Sequence, residues 1–193
     1  MGGGIKGVGR GILSKRGEET LKTGQGRSGR GLELRHMALF GLLGGLTFGL
    51  KLALAPVPNV EPVSLLVMLF AAVFGWRGLW PVWVYSLLEL GLYGVHLWSV
   101  CYLYLWPLLF AAALLLRPCR GALRWALLSG CFGLLFGLLC VPVCLISGGP
   151  ALALSWWLVG LPYDVLHGGA NFVLTLVLFC PLRRTLERLY RRL

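Results

Sequence analysis

From residue 36 to residue 181 the chain is almost continuously apolar, and what interrupts it is arranged by sign of charge. Apolar runs fall at roughly 36–55, 62–76, 79–96, 99–116, 123–146 and 159–181. Of the 18 Lys and Arg, all but Lys51 lie in four places: the first 35 residues, Arg77, the group Arg117, Arg120 and Arg124, and the C-terminal Arg183, Arg184, Arg188, Arg191 and Arg192. The intervening connections, 56–61, 97–98 and 147–158, hold no Lys or Arg. Basic connections stay on the cytoplasmic side of a membrane, so this alternation predicts six crossings with both termini cytoplasmic. Several runs are shorter than the ~20 residues of a perpendicular crossing. The expected fold is an all-α integral membrane protein, a six-transmembrane-helix bundle.

Composition agrees. The chain of 193 residues is 58% hydrophobic and 13% charged, with a mean hydropathy of +0.79, against about 25% charged in soluble domains. A net charge of +11 would suit nucleic acid, but its placement between apolar runs accounts for it as membrane topology, and no nucleic-acid partner is expected. Residues 1–35 hold eight Lys or Arg and eleven Gly. They read as a disordered basic cytoplasmic tail, because they carry too few apolar residues to build a core. Residues 36–193 form the expected six-helix domain with a short basic C-terminal end. GQGRSG at 24–29 fits the spacing of a dinucleotide-binding loop, but no strand precedes it and no helical pattern follows. The six cysteines form no CxxC pair and no zinc spacing, and read as buried thiols.

Orientation sets depth. With the first span running outward, Lys51 lies near its outer end; Glu89 and His96 fall in the outer part of the third span. GLPYDVLHGGANFVL (160–174) brings Asp164, His167 and Asn171 into the outer half of the last span at i, i+3 and i+7, on one helical face. Asn59 and Glu61 belong to the outer loop. Ionisable groups in hydrocarbon are costly and usually face the interior or mark a site. The same residues could simply cement the bundle, Lys51 with Glu89 or Asp164, and His167 and Asn171 between helices. Tyr85, Tyr93, Trp98, Tyr102, Tyr104, Trp106, Trp156, Trp157 and Tyr163 share this half, some as interfacial belt residues and others as walls of a cavity. Three acids, Glu61, Glu89 and Asp164, against one lysine favour a ligand bearing donors or positive charge. The candidate binding set is Lys51, Asn59, Glu61, Glu89, His96, Trp156, Asp164, His167 and Asn171.

In the first span Gly41, Gly45, Gly49 and Ala53 recur every four residues, a stripe that lets a second helix approach closely, inside the bundle or on another subunit. There is no phosphate-binding GxxxxGK[ST] loop and no HExxH zinc signature. No catalytic residue, metal or cofactor is expected.

PNVEPVSLLVML (58–69), the six-span pattern, the small-residue stripe and GLPYDVLHGGANFVLTLVLFCPL (160–182) together resemble the substrate-binding S components of energy-coupling factor (ECF) transporters, over roughly residues 36–190. The resemblance implies a multi-pass protein of a prokaryotic plasma membrane. Such a protein captures a small water-soluble vitamin or related micronutrient from outside, then docks on a scaffold membrane subunit carrying two ATPases that hydrolyse the ATP. It implies docking through Gly41, Gly45, Gly49 and Ala53, where the family favours Ala, and binding from loop 1 and the outer halves of later helices. Thiamine-, pyridoxine-, cobalamin- and queuine-like ligands are all compatible. The other readings are a stand-alone carrier or channel subunit with a polar outer vestibule, and an intramembrane enzyme.

Overall fold

The computed structural model describes residues 33–56 and 61–192; residues 1–32 of the basic tail and Asn59 lie outside the described residues, while residues 33–35, read from sequence as the end of the tail, open a helix. By internal contacts the chain divides into two units, Met1–Leu39 with Leu193, and Phe40–Arg192. In the first unit only the opening of a helix is described, and the account below concerns the second.

The described chain is nearly all helical, without strands: α1 (Glu33–Leu54), α2 (Val63–Phe74), α3 (Leu79–Tyr93), α4 (Leu97–Leu115), α5 (Ala122–Leu134) and α6 (Phe136–Tyr190). Four stretches are long and apolar enough to cross a membrane: Glu33–Leu54, Val63–Tyr93, Leu97–Leu115 and Ala122–Tyr190. The six runs read from sequence differ from these four because two stretches contain breaks. Val63–Tyr93 passes through a 3-10 turn, Gly75–Gly78, where Gly75 takes φ +58°. Ala122–Tyr190 leaves helical geometry at Gly148 and Gly149, the latter with φ +73°, and bends again at Leu135 between α5 and α6.

α2 is the central element. It is apolar on every side, as expected of a helix buried all round, and Val63, Leu65, Val67, Met68, Leu69, Phe70, Ala71 and Ala72 are all buried. It packs against α3, α4, α5 and α6. Pro62 caps its start, where the missing N–H is no loss. α5 packs chiefly on α6, with Trp125 stacked on Phe179 at 4.2 Å between ring centroids. Exposed Leu, Val and Ile side chains such as Leu42, Leu127, Val165 and Val177 form an apolar outer surface suited to lipid. All six cysteines are free, and Cys101, Cys140 and Cys144 are buried.

α1 joins this unit through Gly44, not through the period-four stripe. A methyl group at Gly44 would fall 2.6 Å from Val84 Cβ and 2.9 Å from the Pro81 carbonyl oxygen, whereas one at Gly41, Gly45 or Gly49 would meet nothing within 4 Å. Gly44→Leu should therefore destabilise the detergent-solubilised protein by about 1–3 kcal/mol, the range for overpacking. Gly45→Leu, one residue away, should leave stability within about 0.5 kcal/mol. Thermal unfolding followed by tryptophan fluorescence separates the two; equal losses would contradict the assigned face.

Candidate functional site

Helix polarity brings the end of α1, the start of α2, the end of α3 and the start of α4 to the same end of the bundle. There a cavity of about 370 Å3 is lined by Lys51, Glu61, Glu89, His96, Asp164 and His167, with Tyr93, Trp98, Tyr102, Phe136 and Tyr163 as aromatic walls. Its size lies at the small end of the range for small-molecule sites.

Lys51 is the organising cation. Its Nζ donates to Glu89 Oε2 at 2.9 Å, lies 3.9 Å from Glu61 Oε1 and 3.4 Å from the Tyr102 hydroxyl, and sits 4.6 Å from the centroid of the Tyr102 ring. Glu89 is only 3% exposed, a burial that an ionised carboxylate tolerates when a cation and hydrogen bonds compensate it. Tyr85 Oη and Glu89 Oε1 are both buried without a hydrogen-bond partner among the described residues. Glu61 precedes α2. Burial holds its carboxyl above the ordinary value of 4.5, against the lowering effect of Lys51 and with a further rise from Glu89.

Asp164 and His167 come from α6. Both carboxylate oxygens of Asp164 accept from the Gly137 N–H at 3.1 Å. The bend at Leu135 makes this possible: the amides that open α6 have lost their partners one turn back, and a carboxylate satisfies one of them as an N-cap would. Gly137 has to be glycine for that contact, because a Cβ there would lie 2.5 Å from Asp164 Oδ2. His167 is 9% exposed, its ring 5.1 Å from that of Phe136, and its Nε2 is buried without a partner. A buried polar atom left unpaired beside a cavity is an unused donor or acceptor for whatever enters it.

The remaining sequence candidates lie elsewhere. Trp156 packs at 5.0 Å on Trp98, behind the wall rather than in it. Asn171 is buried and donates through Nδ2 to Ser64 Oγ at 3.2 Å, tying α6 to α2 away from the cavity. Asn59 is outside the described residues. Phe136 was not singled out by the sequence, yet it contacts Trp98, Tyr102, Trp106 and His167; a lone Phe in an apolar run carries no signal of its own. Among the described residues no group of three or more His, Cys, Asp and Glu could hold a metal ion.

Chemically the cavity offers three carboxylates against one ammonium, an imidazole with a free nitrogen, and flat aromatic faces. That set suits a small, flat solute with hydrogen-bond donors or positive charge. Comparison of the chain with protein-family models, with curated proteins and with solved structures found no match.

The Asp164–Gly137 contact yields a coupling test. Gly137→Ala should destabilise by about 1–3 kcal/mol through the clash, and Asp164→Ala by about 1–3 kcal/mol through the orphaned amide. In the double variant the clash is gone, so the loss should fall short of the sum by about 1 kcal/mol or more. Strict additivity in thermal unfolding would show that the two residues do not meet.

Proposed function

We propose that the chain is the substrate-binding S component of an ECF-type importer. In this reading it captures a small water-soluble vitamin or related micronutrient outside a prokaryotic plasma membrane. It then delivers the solute through a scaffold subunit driven by two separate ATPases. The observation that carries the reading is the convergence of Lys51, Glu61, Glu89, His96, Asp164 and His167 on one aromatic-walled cavity. That cavity lies at the end of the bundle remote from the basic connections, which the positive-inside bias assigns to the outer face. The breaks at Gly75–Gly78 and Gly148–Gly149 are compatible with six crossings and cytoplasmic termini. Gly41, Gly45, Gly49 and Ala53 fit a docking face for the scaffold, since the three glycines pack on nothing in the described chain.

The substrate chemistry follows from the lining: a flat solute, cationic or rich in donors, with His167 Nε2 as one contact. Co-expression with an ECF scaffold and its ATPases should yield a stable complex and ATP-dependent uptake, and mass spectrometry of the copurifying solute should identify the ligand. Uptake without any ATPase partner would replace this reading with a stand-alone carrier. His167→Ala should weaken retention of that solute roughly fivefold, the worth of one hydrogen bond, with assembly intact. Gly45→Leu should abolish assembly while retention persists.

The raised pKa of Glu61 gives a pH dependence. Its carboxylate takes up a proton at a higher pH than an ordinary glutamate, so attraction for a cationic solute is full above that pKa and is lost as pH falls through it. Affinity measured by calorimetry should therefore decline on acidification from pH 7, and Glu61→Gln should flatten the decline. An unchanged profile in Glu61→Gln would remove Glu61 from the site.

A further inference from the structure

At the opposite end of the same helices lies a second cavity, of about 500 Å3. It sits where α2 and α4 finish and α6 nears its end, with Ala72, Val73 and Leu114 on its apolar side and Arg117, Arg120, Arg183, Arg191 and Glu187 on its polar side. We propose that this pocket binds the phosphate of an anionic lipid headgroup.

The arginines are not equivalent. Arg183 is 8% exposed and fully engaged. It donates through Nε to Glu187 Oε1 at 2.9 Å, through Nη1 to the Cys119 carbonyl at 2.8 Å and through Nη2 to the Arg117 carbonyl at 3.4 Å, and lies 5.9 Å from the Trp125 ring. It is the strut that ties α6 to the connection between α4 and α5, and it uses up Glu187, whose only other ion pair among the described residues is a 4.0 Å approach to Arg120. Arg117 and Arg191 pair with no carboxylate among the described residues. Arg117 is positioned by backbone: its Nε points to the Ala72 carbonyl at 3.4 Å, and its guanidinium lies against Gly75, where a Cβ would come within 2.9 Å of Nη1. The pocket thus sets four arginines against one carboxylate and leaves guanidinium forks free, the geometry that takes phosphate oxygens in pairs.

The surroundings favour a lipid as the source of the phosphate. Leu115, Trp76 and Trp80 are 81%, 73% and 65% exposed at this end, an apolar and tryptophan-rich rim of the kind found at headgroup depth. Basic pockets between membrane helices on the cytoplasmic side recognise anionic headgroups. Acyl chains would lie along the exposed leucines while the phosphate reaches Arg117, Arg120 and Arg191.

The full chain, purified in uncharged detergent, can be titrated with dioctanoyl phosphatidylglycerol, its phosphatidylcholine analogue, inorganic phosphate and polyglutamate, with thermal unfolding read by tryptophan fluorescence. Phosphatidylglycerol should raise the unfolding temperature and phosphatidylcholine should not. The Arg117→Gln/Arg120→Gln variant should weaken the response about thirtyfold, roughly fivefold for each cationic contact removed. Arg124→Gln, an exposed charge outside the pocket, should leave it unchanged, and Arg191→Gln serves if the double variant does not fold. An equal response to phosphatidylcholine, an equal loss in Arg124→Gln, or no response in the folded wild type would overturn the proposal. So would inorganic phosphate acting as well as the lipid, which would assign a free anion, or polyglutamate acting alone, which would assign an acidic protein partner.

Discussion

Everything at the cavity end depends on one requirement: a carboxylate buried in an apolar bundle must be answered by a cation. Glu89 is the most deeply buried acid in the described chain, and Lys51 is the one basic residue outside the four basic segments. An isolated charge at that depth costs a few kcal/mol, and together at 2.9 Å they offset one another. The pair also decides how α1 sits. Lys51 must turn toward α3 and α4 to meet Glu89 and Tyr102, and Gly44 packs on Val84 of α3. With that face committed, the Gly41–Gly45–Gly49 stripe is turned outward. A stabilising ion pair and a free helix face are two sides of one rotation.

The second constraint is a backbone defect. The break at Leu135 interrupts the hydrogen-bond ladder beside the cavity, and non-helical backbone in an apolar bundle is tolerated only where protein or a polar cavity satisfies it. Asp164 does so at Gly137. The same bend delivers Phe136 into the aromatic wall, one residue before the amide that Asp164 accepts from. Cavity wall and helix defect are thus a single feature: straightening α5 into α6 would remove Phe136 from its place and strand Asp164 without a donor. A residue chosen from sequence for binding therefore also holds structure.

Much of this was legible in the sequence, for identifiable reasons. Polar residues stand out in an apolar chain, and six of the nine candidates gather at one cavity because helix direction converts sequence position into depth. Asn171 shows where that logic ends. It shares a face with Asp164 and His167, but lies about 10 Å further along the axis than Asp164, and there it meets Ser64 instead of the cavity. Glycine periodicity found a face of α1 but not its neighbour; the packed residue, Gly44, stands between two members of the stripe. The break at Gly148–Gly149 follows from Gly-Gly-Pro, whereas the bend at Leu135 sits in GLLFG with no proline to announce it. Phe136 and Arg183 had no signal, since their roles arise from contacts across helices.

Charge is sorted along the bundle axis more sharply than hydrophobicity is. One end gathers three carboxylates around a lysine, the other gathers arginines around Glu187. Between them, Trp98 and Leu114 on α4 alone are about 24 Å apart at 1.5 Å per residue. At an effective dielectric of about 20, opposite unit charges at that distance attract by about 0.7 kcal/mol, a factor of roughly three in an equilibrium constant. Occupants of opposite sign at the two ends would favour one another only that weakly through the field. Any stronger communication has to be mechanical, carried by α4 and α6, the helices with residues in both cavity linings, and α6 leaves helical geometry at Gly148–Gly149 on the way.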